Sequence, residues 1–189
     1  MIILHSMYMR PLAIIVSIAV LSIASRIALP VGPVPITLQT LAVTLTGAIL
    51  GWRLGTLTII IWLALAACGI PVLSGGVTGL EKFMGPTAGY LFAFPLAAAF
   101  TGLTSSQNRQ KFLNLFFIML IGNAICLFVG AGWLGMKIGF TKAIMSGVVP
   151  FLIGAIIKSA AAAAFFQIFA RYIDRRNGIE KKGTDITLT

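Results

Sequence analysis

The sequence is poor in charge, above all in acid. Its 189 residues hold four acidic side chains and one histidine, and charged residues make up 10% of the chain. A soluble domain carries about 25%. So little charge cannot cover a water-facing surface, which excludes a soluble enzyme and a disordered tail. One histidine, His5, and few acids leave nothing from which to build a metal centre, so neither a metal nor a cofactor is expected. Two cysteines, Cys68 and Cys126, both lie inside apolar runs. They are too few for a disulfide scaffold and read as packing residues. A phosphate loop of the form G-x-x-x-x-G-K-[ST] is also lacking. Gly75-Gly76-Val77-Thr78-Gly79 is rich in glycine but has no lysine and no strand–helix context. No acid–base pair suggests an enzyme, and no chain of buried carboxylates suggests a proton relay. The chain is therefore not expected to be an enzyme, and any energy it uses must come from elsewhere.

What is present is apolar. Such residues make up 59% of the chain, and the mean hydropathy is +1.03. The sequence reads as a single-domain, all-α integral membrane protein in contact with lipid. The net charge of +10 does not point to nucleic acid, because the basic residues stand at the ends of apolar runs and form no patch of their own.

Six apolar segments are legible, at about 9–29, 36–50, 54–69, 88–103, 112–130 and 146–172. The first, at about 20 residues, is long enough to span and too long for a typical signal core. Several others fall short of a straight span, and short segments beside Gly/Pro loops suggest loops that dip into the protein. With six spans both termini share a face. That face holds Arg10, Arg53, Arg109, Lys111, Arg171, Arg175, Arg176, Lys181 and Lys182, and the other holds Arg26, Lys82, Lys137 and Lys142. This excess places both termini in the cytoplasm. The outer connections, about 30–36, 70–87 and 131–145, are longer or richer in Gly and Pro than the inner turn at 51–53. They are expected to be ordered loops over a pocket. The polar, basic stretch 173–189 reads as a solvated cytoplasmic tail. No internal repeat is visible.

Lys158 is the strongest single signal. It lies among apolar and small residues in the sixth segment, where a central lysine costs about 2.5–3.5 kcal/mol on insertion scales. No acid lies within an unambiguous span, so an anionic ligand such as a carboxylate is the partner it calls for. The bland alternative is a lysine that snorkels to the interface. Lys158 lies eight residues past Pro150 and Asn123 twelve past Lys111. At ~1.5 Å per residue, in a ~30 Å core, antiparallel helices bring the two to similar depth, about 12 Å below the outer face. The Asn123 amide can pair with a cyclic urea or form an interhelical hydrogen bond. Gln39, Thr40 and Tyr90 start the second and fourth segments from the outer side and reach the same region. Tyr90 and Trp133 offer flat apolar surface with a polar edge, or belong to an interfacial aromatic belt. Glu81 is the one acid on the outer face and is expected to pair with Lys82 or water. Small residues recur every fourth position at Ala13/Ser17 and Ala24/Ala28, and at Ala155/Ser159/Ala163 and Ala160/Ala164. Such rows let helices approach closely. The second set reads as internal packing, and the first leaves room for a partner subunit.

Gly32-Pro33-Val34-Pro35-Ile36-Thr37-Leu38-Gln39-Thr40-Leu41 resembles the signature of the BioY family, the biotin-specific S components of energy-coupling factor (ECF) transporters. So do Gly69-Ile70-Pro71-Val72 with Gly75-Gly76, and Gly85-Pro86-Thr87-Ala88-Gly89-Tyr90-Leu91. Trp133-Leu134 and Pro150-Phe151-Leu152-Ile153-Gly154, ending at Lys158, complete the set. The resemblance runs in order from about Ala13 to Ala164. It implies the ECF S-component fold of six transmembrane helices and high-affinity capture of biotin from outside. It also implies a transmembrane T component and two cytoplasmic ATP-binding subunits as partners, with Ala13 and Ser17 meeting the T component. The family lysine of helix six maps to Lys158, with Asn123, Gln39, Tyr90, Thr40, Trp133 and Gly76 as further candidates for the substrate site. The family often has Gly-Asp-x-x-Lys in helix six, and Gly154-Ala155-Ile156-Ile157-Lys158 departs from it at Ala155. The alternatives are a stand-alone secondary carrier for a small carboxylated vitamin, which proton- or sodium-dependent uptake would favour, and a membrane protein outside transport.

Overall fold

The computed structural model describes residues 9–30, 33–75, 79–105 and 111–186, with the backbone alone at 174 and 176–186. Apart from one short ribbon, the regular elements among the described residues are helices. The order is α1 (Met9–Arg26), β1 (Ala28–Leu29), β2 (Ile36–Thr37), α2 (Gln39–Ala67), a 3₁₀ turn (Leu80–Phe83), α3 (Ala88–Thr104), α4 (Phe112–Ile138), α5 (Phe140–Gly147) and α6 (Phe151–Ile186). Four stretches are long and apolar enough to cross a membrane: Met9–Arg26, Gln39–Ala67, Phe112–Ile138 and Phe151–Ile173. Helix α3 is equally apolar but shorter.

The expected second and third segments are joined in α2, yet they do not form one straight rod. Gly51 interrupts the helix with φ 78° and ψ 168°, a conformation that glycine adopts without a side-chain clash. Beyond it the chain folds back. A Cβ placed on Gly55 would stand 2.8 Å from the Cα of Gly47, whereas eight residues along a straight helix span about 12 Å. Ala42 and Val43 accordingly share a core with Ile59, Trp62, Leu63 and Ala66. Thus α2 is a hairpin with legs 39–50 and 52–67, and a single glycine makes its tip.

That core also takes in Leu21 and Ala24 of α1, Phe94, Ala97 and Ala98 of α3, and Cys126 of α4. Trp62 stacks on Phe94 with ring centroids 6.1 Å apart. A second core joins Leu45 and Ala48 of α2 to Leu115 and Met119 of α4 and to Ala162, Ala163 and Phe166 of α6. Ala155, Ser159 and Ala163 are all buried, so this row of small residues faces the bundle and lets α4 approach α6. Outward, α1 exposes Leu12, Ile15, Val16, Val20 and Ile23, a face that apolar surroundings solvate far better than water.

Four boundaries differ from the sequence reading. Helix α1 stops at Arg26, and Ala28–Leu29 pairs antiparallel with Ile36–Thr37 instead. The connection 131–145 is not a loop. Helix α4 continues to Ile138, Gly139 turns the chain with φ 88°, and α5 follows. The expected sixth segment begins at Phe151, after Pro150. The backbone of α6 then runs helical to Ile186, well into the polar stretch that reads as a solvated tail. No proline interrupts that stretch.

Candidate functional site

A cavity opens between α2, α3, α4 and α6, under the ribbon and the 70–87 connection. Its lining includes Thr37, Gln39, Thr40, Ser74, Lys82, Thr87, Tyr90, Asn123, Cys126, Ala155 and Lys158, with Leu91, Phe94, Leu127 and Phe151 as apolar walls. Among the described residues no acidic side chain lines it. No group of three or more His, Cys, Asp or Glu among them is placed to hold a metal.

Lys158 lies on α6, seven residues in from Phe151 and so about 10 Å along the axis. It is 7% exposed. Its ammonium donates to the backbone carbonyl of Thr37 at 3.1 Å. That carbonyl belongs to β2, so the ribbon sets it over the deep lysine. One bond leaves two ammonium protons for another acceptor. No ion pair answers the charge among the described residues, and a buried ammonium without an anion is costly.

Asn123 lies beside Lys158's helix, in line with the depth argument. Its Nδ2 donates to Ser159 Oγ at 3.0 Å and to Met119 O at 3.0 Å. The two bonds use both amide protons and fix which way the group points. They leave Oδ1 with no hydrogen bond among the described residues, so Asn123 presents the cavity with an acceptor. The interhelical bond and the polar contribution to the cavity are therefore both real, and they use different atoms of one side chain.

Gln39 plays a more internal part. Its Nε2 donates to Ser25 Oγ at 3.0 Å, and its Oε1 accepts from Thr37 Oγ1 at 3.1 Å. Thr37 Oγ1 in turn accepts from the Gln39 backbone N–H at 3.3 Å, satisfying a donor that the start of α2 leaves open. Gln39 thus ties α1, the ribbon and α2 together at the cavity wall. Thr40 also lines the cavity, and its hydroxyl is buried without a hydrogen bond. A buried hydroxyl seldom goes unpaired, which makes Thr40 a group awaiting a partner.

Tyr90 closes the side of the cavity at the start of α3. Its ring stacks on Phe151 at 6.3 Å, and its hydroxyl donates to Gly147 O at 2.8 Å. This bond links α3 to the end of α5. Trp133 is placed elsewhere. It is not among the lining residues, and its Nε1 donates to Gly85 O at 3.0 Å while its ring meets Phe92 edge-on. It fastens the connection before α3, lying six residues further along α4 than Leu127, the last residue of that helix to line the cavity. Gly76 lies outside the described residues. Ala13 and Ser17 lie on the half-buried side of α1, turned away from the helix's most exposed face.

Several lining groups escaped the sequence reading. The Thr37 carbonyl could not be found, because a backbone atom carries no sequence signal. Ser74, Thr87 and Cys126 look ordinary in the sequence. Lys82 was legible only as a loop charge. It is half-buried at the cavity, whereas Glu81 is exposed, and the expected pair between them does not occur among the described residues. Ala155, the departure in helix six, is 5% exposed and lines the cavity.

Comparison with known proteins agrees with this architecture. A model of the BioY family matches residues 5–175. A probable biotin transporter BioY of Pyrococcus horikoshii is 39% identical over 145 residues, covering 77% of this chain and 86% of that one. The biotin transporter BioY2 of Lactococcus lactis subsp. cremoris is 33% identical over 161 residues, covering 84% and 88%. The crystal structure of an S-component for biotin from an ECF-type ABC transporter superposes with a TM-score of 0.79 at 29% identity. It covers 88% of this chain and 94% of that one.

Proposed function

Because the chain belongs to the BioY family, we propose that it is the substrate-capturing S component of an ECF transporter and that its ligand is biotin. The observation that carries this reading is Lys158, a buried cation in a cavity whose described lining holds no acid. Such a site calls for a ligand with an anionic or strongly accepting oxygen, and biotin has both a carboxylate and a urea. Around Lys158 stand the open Asn123 acceptor, the unpaired Thr40 hydroxyl, and Gln39, Tyr90 and Phe94 as wall. Polar groups left unpaired penalise analogues that lack the matching atoms.

In this reading the protein is a multi-pass component of the cell membrane. The two legs of α2 count separately with α1, α3, α4 and α6 to give six crossings, and both termini lie in the cytoplasm. Chemical energy comes from two ATP-binding subunits acting through a transmembrane T component, with α1 at that contact and its partly exposed Ala13 and Ser17 at the edge of the face presented. The chain itself only binds and is reoriented.

The test is biotin binding to the purified protein in detergent. Tight, saturable binding that is lost in Lys158→Ala supports both ligand and site. Binding retained in the variant moves the site elsewhere, and a folded protein that binds no biotin rejects the ligand. Uptake by the assembled transporter should stop when the ATPases are disabled. Uptake that continues, and follows a proton or sodium gradient, would support the stand-alone carrier instead.

A further inference from the structure

The cavity contains a second lysine that the reading above does not use. Lys82 sits on the 3₁₀ turn Leu80–Phe83 and lines the cavity from the 70–87 connection. Its ammonium lies over the turn at Gly75, where a Cβ would stand 3.3 Å from Nζ. Gly75 has φ 82°. Among the described residues Lys82 makes no hydrogen bond and no ion pair, and the adjacent Glu81 is exposed. Burial without a counter-charge holds its ammonium below the ordinary lysine range.

The two ends of the cavity therefore differ in chemistry. The deep end offers donors, from Lys158 and Thr40, together with one open acceptor, Asn123 Oδ1. A urea has a carbonyl to accept and N–H groups to donate, so it satisfies both kinds. A carboxylate is acceptor-only and would face Asn123 Oδ1 with no proton between them. The 70–87 end offers the Lys82 cation with the hydroxyls of Ser74 and Thr87, which can donate beside it, and such a set suits a carboxylate. We infer that Lys82 selects the carboxylate end of the ligand, leaving Lys158, Thr40 and Asn123 to its urea. This rests on the biotin reading and adds to it a specificity-determining residue and a ligand orientation.

The experiment compares biotin with biotin amide, whose carboxylate is replaced by a neutral amide. Both are titrated by calorimetry into the purified protein and into Lys82→Gln, Lys82→Arg and Lys158→Gln. The unaltered protein should prefer biotin by about tenfold, the scale of one hydrogen bond to a charged group. Lys82→Gln should bring that ratio close to one by weakening biotin alone, and Lys82→Arg should keep the ratio. Lys158→Gln should weaken both ligands and keep the ratio too. A preference that survives Lys82→Gln overturns the assignment, as does one that collapses only in Lys158→Gln. If the unaltered protein binds neither ligand, the biotin reading itself fails, an outcome distinct from the loss of the Lys82 assignment alone.

Discussion

The two ends of the cavity are built in different ways. The deep end is carried by helices: Lys158 and Ser159 are consecutive on α6, and Asn123 of α4 bonds Ser159 at 3.0 Å, while the Lys158 ammonium reaches the ribbon carbonyl of Thr37 at 3.1 Å. The other end rests on connections, with Lys82 on a 3₁₀ turn, Ser74 beside a glycine of positive φ, and Val34 and Pro35 between the two strands of the ribbon. Helix-borne groups are fixed by the bundle's packing and make a site of defined depth and polarity. Loop-borne groups can change with little cost to the core. The difference suggests a division of labour in which the helices hold the ligand's polar ring and the connections read its tail.

Four substitutions sharpen or break this division, beside the Lys82 comparison. The largest effect is expected from Lys158→Ala, which removes the deep cation and strands the Thr37 carbonyl. Biotin affinity should fall by about 100-fold in a calorimetric titration. A loss below about threefold would mean that the deep end is not the anchor. Next comes Asn123→Ala, which deletes the open acceptor and the bond to Ser159. It should weaken biotin by about tenfold and lower thermal stability slightly, since an interhelical bond in lipid averages about 0.6 kcal/mol.

Gly75→Ala acts on the loop-borne end alone. It forces a side chain into a left-handed conformation, at about 1–2 kcal/mol, and crowds the Lys82 ammonium. The preference for biotin over biotin amide should drop by about threefold with the deep contacts intact. An equal loss for both ligands would show that the two ends are not independent. The smallest effect on binding is expected from Gly51→Ala. The residue sits at the tip of the α2 hairpin, about 18 Å along the first leg from Gln39. Its strain should lower the melting temperature while biotin affinity stays within about twofold.

Much of the helix-borne end was legible in the sequence. A lysine in an apolar run is conspicuous because burial makes it costly, and helical rise places Asn123 at its depth by arithmetic. The small residues at 155, 159 and 163 announced a close helix contact for the same geometric reason. The loop-borne end was far less legible. Connection residues follow no periodicity, so nothing in the sequence aims Lys82 into the cavity or carries Trp133 past it. The Thr37 carbonyl and the exposed state of Glu81 depend on where the backbone runs. The reach of α4 and α5 through 131–145 was missed because glycines at 132, 135 and 139 look like punctuation. Only the last of these has a positive φ and turns the chain.

The sequence by itself determined the medium and the class. With four acids in 189 residues and a mean hydropathy of +1.03, the chain can bury its surface only in lipid, where the backbone must form helices or a closed barrel, and its long unbroken apolar runs select helices. It also singled out Lys158, in an apolar run, as a charge that must either snorkel to the interface or be buried, and the fold buries it. Tertiary structure decided which atoms surround that charge. The reversal at Gly51, the ribbon carbonyl over Lys158, the amide protons of Asn123 turned toward Ser159 and Met119, and Lys82 at the loop-borne end all arise from contacts between segments distant in sequence. Local preference does not encode such contacts, since they depend on which helix packs against which.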